Sequence, residues 1–289
     1  MFPFSFKEFL IAKNAKILLE EIEKAFYEKK PLLESVHKMA IKEYRDYLCI
    51  GGMPKAIINY LNNNNDVTKF DRTIHEELIT MYIADMRKYT YTPLETINIQ
   101  KTYESMPSQL GKKNKKFKYS LVEKKATRKK FELPLEWLIS SGLLLKCNLI
   151  NNTQTPLKSY EVPDYFKMYV SDVGLLNGLT HINFEDVLLD TEYMFKGALA
   201  ENYVAQVFAS KRYGLYYWKT PADAEVDFIL DRKDGIIPVE VKADDNTKSR
   251  SLNEYIRKYN PNYSIRLSTK NFGFYNNIFS VPLYATYLI

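Results

Sequence analysis

Asp227 and the triplet Glu240-Val241-Lys242 stand on two apolar runs, 225–230 and 236–242, separated by Asp234-Gly235. That dipeptide between such runs is a hairpin signal. With the turn centred on the Lys233–Asp234 bond, Asp227 faces Glu240 and Glu225 faces Lys242. Period-two alternation puts all four on one face, and Val226, Phe228, Val239 and Val241 on the other. Two carboxylates directly opposite have Cβ atoms about 5 Å apart and repel. Their pairing beside a lysine points to a cation between them. A hard divalent ion such as Mg2+ takes carboxylate oxygens and accepts a backbone carbonyl, so Asp227 and Glu240 are the candidate metal ligands. Lys242 would hold or activate a water for attack on phosphate. Glu201 shares the apolar stripe of a helix over 192–210 with Gly197, Val204 and Phe208, where an acid is expensive, and offers a third carboxylate. The alternative for this hairpin is a plain surface pair, Glu225–Lys242, worth under about 1 kcal/mol.

The elements that must position these groups fall into three stretches. The first is helical: 16–27 carries Leu18, Leu19, Ile22 and Phe26 at helical spacing, and 41–49 is a second amphipathic stretch closed by Gly51-Gly52. Pro54 opens a helix through Tyr60, and 70–89 reads as a longer one. From 94 the pattern is a helix, a break at Pro107, a basic segment, a helix over 131–141 that contains Pro134, and an apolar strand after Gly142. Leu133, Trp137 and Leu138 are expected to face the core. Three short helices followed by a strand is the winged-helix order, in which one helix enters the DNA major groove. The cluster 151–156 is read as a boundary. Beyond it lie strand-like runs at 166–170, 215–218, 225–230, 236–242 and 264–268, with helices over 192–210 and 251–259. The expected fold is α+β: a helical region 1–93, a winged-helix-like domain 94–155, and an α/β domain 156–289 with a central mixed sheet.

The net charge of +6 is unevenly distributed. Segment 112–130 holds ten basic residues and one acid, Glu123, for a local +9, which leaves −3 for the other 270 residues. Lys112, Lys113, Lys115, Lys116, Lys118, Lys124, Lys125, Arg128, Lys129 and Lys130 are the candidate nucleic-acid contacts, because a focused patch suits a defined polyanion. The alternative is a solvated, mobile basic loop.

An Asp, a spacer, Glu-x-Lys, and a Glu on a preceding helix resemble the PD-(D/E)xK nuclease signature, with Glu201, Asp227, Glu240 and Lys242 at its four positions. The wider text is more specific. Phe2-Pro3-Phe4-Ser5-Phe6-Lys7-Glu8-Phe9-Leu10, Gly51-Gly52-Met53-Pro54, Lys116-Phe117-Lys118-Tyr119-Ser120, Asp172-Val173-Gly174-Leu175-Leu176 and Gly197-Ala198-Leu199-Ala200-Glu201 occur in order. With Ala224-Glu225-Val226-Asp227-Phe228 and Val239-Glu240-Val241-Lys242, they look like a large prokaryotic family of AAA-type ATPases. The resemblance implies a winged-helix-like middle and a C-terminal domain of unknown function with a restriction-endonuclease-like fold. It further implies DNA binding, Mg2+-dependent phosphodiester hydrolysis, and an ATPase-domain or other protein partner. The alternative is a non-catalytic DNA- or protein-binding module on a vestigial nuclease fold. Two departures stand out. Family members carry a nucleotide-binding domain before the Ser-Phe-x-Glu-Phe-Leu segment, where this chain begins. No G-x-x-x-x-G-K-S/T loop exists, so no ATP site or ATPase activity is expected. Val226 also stands where a Pro precedes the nuclease Asp.

Other chemistry is excluded or weak. Cys49 and Cys147 are too few for a disulfide framework, and His37, His75 and His181 lack ligand spacing. His75 and His181 are read as surface or capping residues, and Cys147 as a small core residue. No Gly-x-Ser-x-Gly element appears. Lys248, Ser249 and Arg250 form a helix cap or a phosphate site. No run of eighteen apolar residues exists, and the start lacks a secretory pattern, so no membrane span and a cytoplasmic location are expected.

Overall fold

Residues 2–90, 92–245 and 250–289 are described by the computed structural model, so the reading of Lys248 and Ser249 lies outside the described residues. The chain forms α1 (Phe6–Ala12), α2 (Lys16–Glu28), α3 (Glu34–Ile50), α4 (Pro54–Asn62), α5 (Thr73–Met86), α6 (Pro93–Glu104), α7 (Met106–Leu110) and α8 (Arg128–Ser140). Strands β1 (Leu144–Ile150) and β2 (Glu161–Val170) follow, then α9 (Val173–Thr180), α10 (Phe184–Leu188) and α11 (Lys196–Ser210). The C-terminal part adds β3 (Tyr216–Lys219), β4 (Glu225–Val226), β5 (Phe228–Arg232), β6 (Gly235–Val241), α12 (Arg250–Tyr259), β7 (Ser264–Ser268), β8 (Gly273–Tyr275) and β9 (Ile278–Pro282). The fold is α+β, as expected, with two mixed sheets ordered β2-β1-β3-β4 and β5-β6-β7-β9-β8. Among the described residues, no helix is long and apolar enough to cross a membrane.

Local chemistry explains the helix ends. Ser5 and Glu8 form a reciprocal capping box at α1, and Thr92 and Glu95 form another at α6, which therefore starts at Pro93. Helix α8 tolerates Pro134 inside it and buries Phe131, Pro134, Leu135 and Leu138, an i, i+3, i+4, i+7 stripe. Leu133 falls off that stripe and is 79% exposed, which corrects its expected core position.

Two expectations about the strands change. β1 pairs antiparallel with β2 across residues 151–160 and parallel with β3 on its other side. The division placed at 155/156 therefore falls inside one sheet. The β5–β6 hairpin has the expected register, with Phe228 opposite Val239 and Arg232 opposite Gly235. The strand breaks at Asp227, however, and β4 joins the other sheet, Glu225 lying opposite Lys219. Val226 consequently packs with Trp218, Ile229 and Tyr255 in a small second core, while Phe228, Val239 and Val241 belong to the main one. The four apolar residues do not share one face.

A buried polar junction ties the helical part to the rest. Asp172, fully buried, accepts from the backbone N–H of Gly52 at 2.7 Å and of Leu175 at 3.1 Å. Gln206 of α11 donates to the Tyr47 hydroxyl at 2.9 Å, and that hydroxyl donates to the Phe4 carbonyl at 2.5 Å. Gly51 has φ +79, and a Cβ on Gly52 would lie 2.2 Å from the Phe4 carbonyl oxygen. Only glycines allow this approach. His75 is buried here, its Nε2 2.8 Å from the Ile50 carbonyl, so it is not a surface residue. His181 is exposed and caps α9 in the left-handed region, as expected.

Candidate functional site

Where the two sheets meet, α11, β2, β4, the Asp227 kink and the end of β6 bring charged side chains together. At the centre is Lys167 of β2, only 1% exposed. Its ammonium lies 2.5 Å from Glu225, 3.8 Å from Glu201 and 3.9 Å from Asp227. The Tyr217 ring covers it at 4.9 Å. Glu201, on the buried face of α11, pairs with Lys115 and accepts from the Tyr169 hydroxyl at 3.2 Å. Asp227 accepts from the Val241 N–H at 2.9 Å. Glu240, buried on β6, pairs with Lys242 at 2.8 Å. Lys219 of β3 lies 3.2 Å from Glu225.

The four residues of the sequence pattern, Glu201, Asp227, Glu240 and Lys242, thus meet in one place, but their partners differ from those expected. Glu225 faces Lys167 and Lys219 rather than Lys242, because the kink at Asp227 carries it into the other sheet. Lys167 is the residue that sequence reasoning missed. Its signal was a lysine inside the apolar run Phe166-Lys167-Met168-Tyr169-Val170. Buried lysines are rare unless paired.

The electrostatics follow from burial and these neighbours. Burial alone would lower the Lys167 pKa, but Glu201, Glu225 and Asp227 together hold it well above the usual lysine value. Burial would raise Glu201, yet Lys115 and Lys167 outweigh it and keep that carboxylate below its ordinary range. Asp227 goes the other way, raised well above the usual value by burial and by the Glu201 and Glu240 carboxylates. Burial would lower Lys242, and Glu240 more than offsets it.

As arranged, these side chains do not fit a Mg2+ ion. Asp227 already receives the Val241 N–H, Glu240 already receives Lys242, and the space among Glu201, Glu225 and Asp227 holds the Lys167 ammonium. Among the described residues, no group of three His, Cys, Asp or Glu side chains is placed to hold a metal.

The basic segment is built onto this cluster. Phe117 is buried and its N–H donates to the Phe166 carbonyl at 2.9 Å, laying the segment along the edge of β2. Buried Gln109 clamps Lys118 through both backbone groups, each at 2.9 Å. Lys115 reaches Glu201, so it is not a free phosphate contact. Lys116 stacks on Tyr165, with Nζ 3.3 Å from the ring centroid. Arg128 is taken by Glu132 and Asp164, and Lys130 by Glu123. Lys112, Lys113, Lys118, Lys124, Lys125 and Lys129 remain exposed, with no ion pair among the described residues. The segment is therefore an anchored platform.

Comparison with known proteins finds two matching family models. A domain of unknown function, DUF8612, matches residues 41–186, about half of the chain. A second, DUF4143, matches residues 196–286 and commonly accompanies AAA ATPase regions in prokaryotes. No curated protein and no solved structure matches. The junction between the two matches falls at 187–195, after the β1–β2 hairpin rather than within it. With α4 to α9 inside the first match and the charged cluster shared between both, the chain belongs to the DUF8612 family and carries a DUF4143 region behind it.

Proposed function

We propose that this chain is a nucleic-acid-binding module on a nuclease-like fold, which binds DNA through the basic segment without hydrolysing it. The observation that carries this reading is the platform itself: six exposed lysines, with no ion pair among the described residues, fixed beside a cluster whose own charges are mutually compensated. Phosphate contacts supply affinity without demanding a base sequence. Support for the nuclease-like fold comes from the order of the Glu201 helix, the Asp227 kink and the Glu240-x-Lys242 strand. The run α6, α7, α8 and the β1–β2 hairpin supports the winged-helix-like reading of the middle.

Binding of a labelled duplex, followed by anisotropy over a salt series, tests it. Six phosphate contacts give a log–log salt slope of about −5. Replacing Lys112, Lys113, Lys118, Lys124, Lys125 and Lys129 by Gln should flatten that slope and abolish binding at moderate salt. No binding, or an affinity indifferent to salt, rejects the reading in favour of a protein partner such as an ATPase domain.

The other reading, Mg2+-dependent cleavage, needs Asp227 and Glu240 to give up the Val241 N–H and the Lys242 ammonium that they hold here. Plasmid cleavage with Mg2+ or Mn2+ that disappears in Asp227→Ala and Lys242→Ala would establish it.

A further inference from the structure

Lys167 has no place in the Asp…Glu-x-Lys pattern, yet three carboxylates gather around its ammonium. They come from separate elements: Glu201 from α11, Glu225 from β4 and Asp227 from the kink that follows. The ammonium is 1% exposed and walled by Tyr217 at 4.9 Å, so water does not screen it. Glu201 and Glu225 each have one further lysine, Lys115 and Lys219, and Asp227 has the Val241 N–H. Without Lys167, buried Glu201 and the half-buried Glu225 and Asp227 would face one another with too little positive charge. Hard carboxylate oxygens converging from three elements are what a divalent ion binds. With Lys167 present, an ion brought into the same space would meet an ammonium within about 4 Å and be repelled.

We propose that Lys167 is the resident cation of this centre, standing among three carboxylates that would otherwise gather a divalent metal ion. The wild-type chain then takes up no Mg2+ or Mn2+ here, and a chain lacking the Lys167 ammonium does. This inference goes beyond DNA binding and is tested without DNA, so either can fail alone.

The test uses the full chain, stripped of metal, as wild type, Lys167→Met and Lys167→Gln. Thermal unfolding is followed with and without millimolar Mn2+, and bound Mn2+ is counted from the loss of the free-ion EPR signal. Wild type should bind no equivalent of Mn2+ and keep its Tm. Each variant should unfold earlier in the absence of metal, bind Mn2+, and recover about 5 °C on adding it. Adding Glu225→Gln to Lys167→Met should remove that gain. Variants that refold only with Mn2+ support the proposal, and variants that stay unfolded in both conditions count against it. Wild type that binds an equivalent of Mn2+ overturns it, as do folded variants that bind none.

Discussion

Lys113 and Lys115 stand two residues apart in the same basic stretch, and their surroundings give them unrelated jobs. Lys113 is exposed, whereas Lys115 reaches inward to the buried carboxylate of Glu201. Removing one partner of a buried pair leaves the other charge uncompensated, at a cost of about 3–5 kcal/mol. Lys115→Met should therefore lower stability by about 3 kcal/mol in denaturant unfolding. Lys113→Met should stay within about 0.5 kcal/mol of wild type while weakening DNA binding. Equal stability losses at the two positions would refute the assignment. Charge counting could not separate them, because a run of lysines carries no record of which side chain an acid 86 residues away will meet.

At the scale of elements, the seven segments that carry the family resemblance divide by role. Those at Phe4, Gly51-Gly52 and Asp172–Gly174 converge on the buried junction, with Gln206 of α11 completing it. Those around Lys116, Glu201, Asp227 and Glu240 build the charged cluster. Burial pushes the Asp172 carboxyl up to about 6, despite hydrogen bonds from Gly52, Leu175 and Gly174 that act downward. Its unfolded value is about 3.9, so between about pH 4 and 6 the folded chain holds the extra proton. The stability contributed by Asp172 is therefore largest below about pH 4 and falls as pH rises through 6. Asp172→Asn cannot titrate and presents an N–H where backbone donors point. It should be less stable than wild type, by more near pH 4.5 than near pH 7, in urea unfolding at both values. A gap that widens toward neutral pH would contradict this. Glu201 acts with the opposite sign, its stabilisation being lost as pH falls below about 4.3. That effect is common to both chains and cancels in the comparison.

Across the whole molecule, one continuous core runs from α1 through α11 to the C-terminal residues, and the sheet β2-β1-β3-β4 joins the two family matches. Cutting at 155/156 takes β1 away from both β2 and β3. It also removes Lys115 from Glu201 and the helices that pack on α11. The fragment 156–289 should show no cooperative unfolding transition by circular dichroism, whereas the intact chain should unfold in a single one. A fragment with a sharp transition and native-like near-ultraviolet signal would support the division read from the sequence.

Sequence alone determined the features that depend on short range. Helical spacing located the Leu18, Leu19 and Ile22 face, and Asp234-Gly235 specified the β5–β6 register to the residue. Glu201, Asp227, Glu240 and Lys242 were also identified as a set, because a hairpin and one apolar helix stripe encode them locally. The sheet to which each strand belongs was decided only by tertiary structure. β4 and β5 are separated by a single residue yet pair in different sheets, and the kink moves Glu225 from Lys242 to Lys167 and Lys219. The 151–156 cluster, read as a domain boundary, lies in the connection between the paired strands β1 and β2. Such outcomes depend on which distant surfaces bury together. The sequence pattern suggested a divalent ion between Asp227 and Glu240, whereas only packing set the Lys167 ammonium beside Glu225, Glu201 and Asp227.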